Sequence, residues 1–272
     1  MVSTSSPTEG SGVPVTEGIG RQVDYWLTVY RRTWKGTAIS SFVAPLFYVV
    51  AMGVLLGGFI EVNPSELEGA TSYLAFLVPG LVAAHAMQTA VGETTYPVMG
   101  MIKWQRVYES MLATPLAVRD VVFAHLVFVT ARVASTCAVF MLVVAPFGVI
   151  ETWWGAVLAF LSQILVGTAF GSLVYALTTR MSTPEGFGVL FRLGVFPMFL
   201  FSGAFFPVAN LGEFGAWIAR LTPLWQGVNL SRMFMLDNVD WPVAAINATV
   251  LIVLTLVGLR WSVTGLRKRL VS

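Results

Sequence analysis

Six stretches of the chain stay apolar for long enough to cross a bilayer, whose hydrocarbon core takes about 20 helical residues. They fall at about 38–60, 72–96, 118–146, 152–179, 186–207 and 241–262. Continuous apolarity, rather than a one-sided stripe, is the mark of helices surrounded by lipid and protein. The pattern predicts an all-α integral membrane protein with six transmembrane helices. Its interruptions are few: Glu93 near the end of the second run, Arg132 inside the third and Arg192 inside the fifth.

Two stretches are striped instead. Over residues 21–35, Val23, Trp26, Leu27, Tyr30 and Trp34 recur at helical spacing, with Arg21, Asp24, Arg31, Arg32 and Lys35 mostly opposite. This predicts an N-terminal amphipathic helix lying in the membrane interface. Between the second and third runs, Met101, Trp104, Tyr108, Met111 and Leu112 form a stripe opposed by Lys103, Arg106, Glu109 and Ser110. That helix is expected to end near Ala113, with Thr114 as N-cap and Pro115 as first position of the third spanning helix. A helix from Pro115 to Ala145 would be roughly 46 Å long at 1.5 Å per residue, so its first turns should project from a ~30 Å hydrocarbon core. A third irregularity follows the fifth run. Residues 201–236 are apolar but cut by Ser202, Gly203, Pro207, Gly212, Gly215 and Pro223 into pieces too short to span. They predict a re-entrant or interfacial helical hairpin on the outer side, before the last span.

Charge sets the orientation. Thirteen of the sixteen Lys and Arg fall before the first run, between the second and third, around the fourth connection, or at the C-terminus. The alternate connections hold Glu61, Glu66, Glu68, Glu151, Glu213, Asp237 and Asp240 against Arg220 and Arg232. Basic residues favour the cytosolic side, so both termini are expected there, in a multi-pass plasma (inner) membrane protein. Trp153, Trp154 and Trp241 mark the outer headgroup level, Trp34 and Trp261 the inner one. Residues 1–20 read as a disordered cytosolic tail and 266–272 as a basic one.

Composition narrows the chemistry. Hydrophobic residues make up 56% of the 272 positions and charged ones 11%, with a net charge of +2, which does not suggest a nucleic-acid partner. Cys137 stands alone inside an apolar run, leaving no intrachain disulfide and no zinc spacing. The histidines, His85 and His125, match no metal motif, and none of the lysines follows a glycine, so the phosphate-binding P-loop is absent. No catalytic residue, metal site or cofactor of this chain's own is expected. The remaining candidates are intramembrane polar groups, Glu93, His125, Arg132 and His85, which are costly enough in lipid to carry a role. Glu93 and His125 fall at similar depth and are expected to pair; Arg132 should face a protein or watery interior. Gly53-x-x-x-Gly57 and Gly167-x-x-x-Gly171 mildly favour oligomerisation.

Five blocks then stand in order: "FLVPGLVAAHAM" at 76–87, "ETTYPVMGMI" at 93–102, "YESMLATPLAVRDVVFAH" at 108–125, "PMFLFSGAFFPVANL" at 197–211 and "RLTPLWQGVNLSR" at 220–232. Over residues 21–265 the chain resembles the membrane subunits of type-2 ABC exporters, in the subgroup that includes NodJ and the daunorubicin-resistance permease. The resemblance implies a permease that works in membrane lipid as a pair, with itself or a related chain, and with a P-loop ATPase subunit that binds ATP and Mg. It implies ATPase docking through the N-terminal helix, at Trp26, Arg31 and Arg32, and through Glu109, Met111, Leu112, Ala113, Thr114, Pro115 and Arg119. It also implies an outer cap where Phe199, Phe201, Phe205, Phe206, Trp217 and Trp225 offer an apolar route to an amphipathic cargo, such as a drug, glycolipid or cell-envelope lipid. The chain departs from the family pattern at Leu211-Gly212, where Leu-Pro is usual, and at Trp225-Gln226, where a His-containing pair is frequent. Both departures bear on the cargo. A role in self-resistance or stress sensing would keep the same subunit. A membrane-embedded enzyme would need clustered His, Asp or Glu at one face, and a secondary transporter inverted repeats; the sequence displays neither.

Overall fold

A computed structural model describes residues 67–271 continuously, together with Thr28 and scattered positions between 42 and 51. The polar tail, the amphipathic stretch with Trp26, Arg31 and Arg32, and most of the first apolar run lie outside the described residues. Among the described residues, four helices are long and apolar enough to cross a membrane: Tyr73–Trp104, Val118–Phe147, Trp153–Arg180 and Trp241–Leu270. Each coincides with a predicted run. The first comprises α1 (Tyr73–Thr94), α2 (Tyr96–Met99) and a π turn at Gly100–Trp104. After α3 (Val107–Leu112) come α4 (Val118–Val144), closed by a 3-10 turn at Ala145–Phe147, and α5 (Trp153–Arg180).

Caps fix where these helices begin. Ser72 Oγ accepts from Ala75 N–H at 3.1 Å, Thr152 Oγ1 from Gly155 N–H at 3.3 Å, and Asp240 Oδ1 from Val243 N–H at 3.2 Å. The last of these opens α10 (Trp241–Leu270), whose final turn holds Arg267, Lys268 and Arg269 against the negative end of the helix. The third spanning helix starts later than expected. Thr114 and Pro115 lie in a turn, where the Thr114 hydroxyl donates back to the Met111 carbonyl at 2.6 Å. The helix opens at Val118, with the Asp120 carboxylate accepting from Ala117 N–H at 3.1 Å. A side chain that can reach its own N-cap backbone outweighs the Thr-Pro signal, because Thr114 is spent on the preceding helix.

Helix α5 is the hub, touching α1, α4, α10 and the helix over Pro223–Met235. Of the most apolar window of α1, 78% is buried, against 22% for α10, so α1 is interior and α10 offers its outer face to lipid. Lipid gives helices no hydrophobic reason to associate, so small residues that allow close approach take over. Gly258, Ser262 and Gly265 form that seam: Ser262 Oγ donates to the Ser172 carbonyl at 2.9 Å, and a Cβ on Gly258 would stand 2.8 Å from Leu173 N. The pair Gly167 and Gly171 faces Val133 and Val129 of α4. That motif is therefore spent inside the chain, which corrects its reading as an oligomerisation signal.

The fifth apolar run becomes α6 (Glu185–Val189), a π turn at Leu190–Val195 and α7 (Phe196–Phe201), one helical path ending at Phe201 rather than 207. Ser202 leaves the helix and Gly203, at φ +80°, turns the chain. After a 3-10 turn at Val208–Leu211, two short helices follow, α8 (Gly212–Leu221) and α9 (Pro223–Met235). Thr222 divides them, its hydroxyl accepting from Trp225 N–H at 3.3 Å. Helix α8 leaves Phe214, Trp217, Ile218 and Leu221 exposed, while α9 is buried against α1, α5 and α10.

Candidate functional site

The elbow between α1 and α4 is built from helix breaks. Thr95, at φ −93° and ψ −100°, ends α1, and its hydroxyl turns back to the Val91 carbonyl at 3.0 Å. Arg106 then adopts φ +53°, a left-handed conformation that costs a non-glycine residue about 1 kcal/mol. Tyr108 is fully buried; its hydroxyl lies 2.9 Å from His125 Nδ1 on α4, and its ring stacks on Tyr175 of α5 at 6.5 Å between centroids. His125 meets Tyr175 edge-on at 5.4 Å. Val98, Ile102, Val121, Val122, Leu126 and Leu266 complete this apolar cluster.

Outside that anchor the tip is open. Glu109, Ala113, Thr114, Pro115 and Arg119 are exposed, whereas Met111 and Leu112 rest partly on the chain's own core. Glu109 pairs with Arg106 at 3.4 Å and Arg119 with Asp120 at 3.7 Å. The Arg106–Glu109 pair is exposed and contributes little to stability, whereas Arg119 is exposed beside a buried Asp120.

Deeper in the bundle, the expected Glu93–His125 pairing is replaced. Glu93 Oε1 accepts from Arg132 Nη2 at 2.7 Å, with both side chains largely buried. A buried carboxylate is better compensated by a guanidinium, which is always charged and donates through several N–H groups, than by an imidazole. His125 is occupied by Tyr108, and the main chain of Glu93 faces the same imidazole. The two helices are therefore joined as expected, through different side chains. His85 joins no polar group of this cluster; its ring meets Phe140 edge-on at 5.5 Å.

The opposite end holds a residue that sequence reasoning counted only as a loop charge. Arg232, 4% exposed, donates to Glu68 at 2.6 Å, to the Gly203 carbonyl at 2.7 Å and to the Phe76 carbonyl at 3.2 Å, and lies 3.9 Å from the centre of the Phe76 ring. It ties α9 to α1, to the turn after α7 and to the segment before α1. One signal was available: Arg232 is the sole charge in the thirteen-residue helix α9. The six aromatic route candidates do not form one surface. Phe199 packs on Phe205 and Phe201 on Phe206, at 4.9 and 6.3 Å. Trp225 sits with Val208 and Ala216 in a separate small cluster, and Trp217 faces outward.

Compared with known families, residues 24–236 match the family described as ABC-2 type transporter. The chain belongs to that family. Nodulation protein J of Rhizobium leguminosarum bv. trifolii is 34% identical over 236 residues, covering 84% of this chain and 87% of that protein. The same-named proteins of Sinorhizobium fredii and Rhizobium leguminosarum bv. viciae are each 32% identical, covering 91% and 90% of this chain and 94% and 95% of theirs. No solved structure matches. This ABC-2 permease of the nodulation protein J type is accordingly the multi-pass membrane subunit of an ABC exporter. Among the described residues no group of three metal-binding side chains is found.

Proposed function

We propose that this permease carries an amphipathic or lipid-like substrate out of the cytoplasm or inner leaflet, driven by a separate P-loop ATPase subunit that holds ATP and Mg. The observation that carries the reading is the elbow. Its exposed tip offers Glu109, Ala113, Thr114, Pro115 and Arg119 to a partner, while Tyr108 at its base is held to α4 and α5. A push on such a tip travels along a packed aromatic joint into two spanning helices. Trp26, Arg31 and Arg32 complete the docking surface on this reading.

Two copies of the permease, identical or related, flank the route. Both the first and fifth apolar runs cross, giving six spans, with both termini in the cytosol of a plasma-membrane protein. The basic residues around the elbow and the end of α10 support that orientation. The α8–α9 hairpin then lies at the outer side as a re-entrant cap, where exposed Phe201 and Trp217 suit an amphipathic cargo. The test is gentle purification of the tagged protein from its own membrane, with mass spectrometry of what accompanies it. An ATPase in about 1:1 ratio is expected, and cysteines placed at Thr114 should crosslink to it. A folded, stable permease that brings no ATPase would sink the reading and turn attention to secondary transport.

A further inference from the structure

Three spanning helices end around one groove. Lys103 closes the first, Arg180 closes α5, and Lys268 and Arg269 close α10; together with Arg106 and Glu109 they line a cavity of about 540 Å³. Among the described residues the balance there is five cationic side chains to one carboxylate. Three of the five are oriented by main-chain carbonyls, which fix a cation without neutralising it. Lys103 Nζ donates to Ser182 O at 3.1 Å, Arg180 to Ala176 O at 2.7 Å, and Arg269 to the carbonyls of Thr178, Thr179 and Met181 at 3.1, 3.2 and 2.7 Å. Outside the groove, Glu185 keeps its carboxyl below the usual range, chiefly through the Thr183 hydroxyl and only weakly through Lys103. The floor is kept low by Gly265, where an added Cβ would clash with Thr179 and approach Arg180 Nη1 to 3.1 Å.

The groove also sits at a defined depth. It opens where the apolar helices stop, and two exposed indoles, Trp104 and Trp261, stand beside it, with Arg180 5.9 Å from the Trp261 ring. Indoles favour the headgroup level, and basic pockets between spanning helices at that level recognise acidic headgroups. We infer that this groove binds the phosphate of an anionic phospholipid headgroup from the adjoining leaflet. The inference needs only the membrane placement of the three helices; Glu109 lines both this groove and the tip proposed for the ATPase, so the two sites adjoin.

The test uses the full-length permease in detergent, titrated with phosphatidylglycerol or phosphatidylcholine, with retained lipid counted by native mass spectrometry. Phosphatidylglycerol should be retained in preference. Arg180→Gln and Lys268→Gln should each weaken it about fivefold, the factor that corresponds to about 1 kcal/mol per basic residue at an acidic surface. Arg260→Gln, an exposed charge of the same helix outside the groove, should leave it unchanged. Unfolding temperatures in phosphatidylcholine alone confirm that each variant folds. Inorganic phosphate at millimolar concentration should not compete; equal competition would make this a soluble-anion site and overturn the lipid assignment. Equal retention of the two lipids, or an equal loss in Arg260→Gln, would also overturn it. So would variants that retain phosphatidylglycerol normally but lose a co-purifying ATPase, which would mark the groove as a protein-docking surface.

Discussion

At the hairpin end, Arg232 is enclosed by Glu68, two carbonyls and the Phe76 ring. At the elbow end, the joint is made by the rings of Tyr108, His125 and Tyr175, while Arg106, Glu109 and Arg119 stand exposed. A buried cation has one acceptable arrangement, because any displacement leaves charge without compensation. Stacked and edge-on rings tolerate small displacements, since no single contact carries more than about 1.5 kcal/mol. The difference points to a fixed hairpin end and a movable elbow, and the Glu93–Arg132 pair lies between these extremes, buried yet still partly accessible.

The comparison breaks most readily at Arg232. Arg232→Met strips Glu68 and two carbonyls of their donor, and a loss of about 3–5 kcal/mol is expected, read as a collapse of folded yield and of the unfolding midpoint in detergent. A midpoint within a degree or two of the parent would mean the hairpin does not depend on this anchor. Next comes the intramembrane pair. Arg132→Met should cost about 3 kcal/mol, near the lower end because both partners keep some exposure. The double variant with Glu93→Gln should regain part of that loss, and a double-mutant cycle with no coupling would deny the pair its role.

The elbow should respond in the opposite way. Tyr108→Phe deletes the contact to His125 for about 1 kcal/mol of stability, yet should lower transport per ATP hydrolysed in proteoliposomes by more than stability accounts for. Smallest in stability are Glu109→Lys and Arg119→Glu, expected within about 0.5 kcal/mol of the parent, but with ATP hydrolysis uncoupled from transport. Normal coupling in both would remove the tip from the docking surface.

Much of this was legible beforehand. Four of the six apolar runs reappear as spanning helices, since a helix in lipid must satisfy its own backbone and its sequence shows that length directly. The break at Thr222-Pro223 and the opening of α10 at Asp240-Trp241-Pro242 follow local capping chemistry that any reader of the sequence can apply. The start of α4 differs from the expectation because two capping signals compete within seven residues, and the Thr114 hydroxyl is taken by the Met111 carbonyl while Asp120 caps Ala117. The partners of buried polar groups were the least legible. Glu93 and His125 share a depth, but depth does not specify which side chain points at which.

The sequence by itself determined the class of the protein, the placement of the four spanning helices found among the described residues, and the exposed polar elbow, because these depend on hydropathy and on interactions within a few residues. The tertiary structure decided that Arg132 rather than His125 answers Glu93 and that Gly167 and Gly171 face α4 rather than another chain. It also decided that Arg232 locks α9 to Glu68, 164 positions away. Those choices are made between helices, where the cost of an unanswered charge in low dielectric selects the partner from whatever the packing brings within reach.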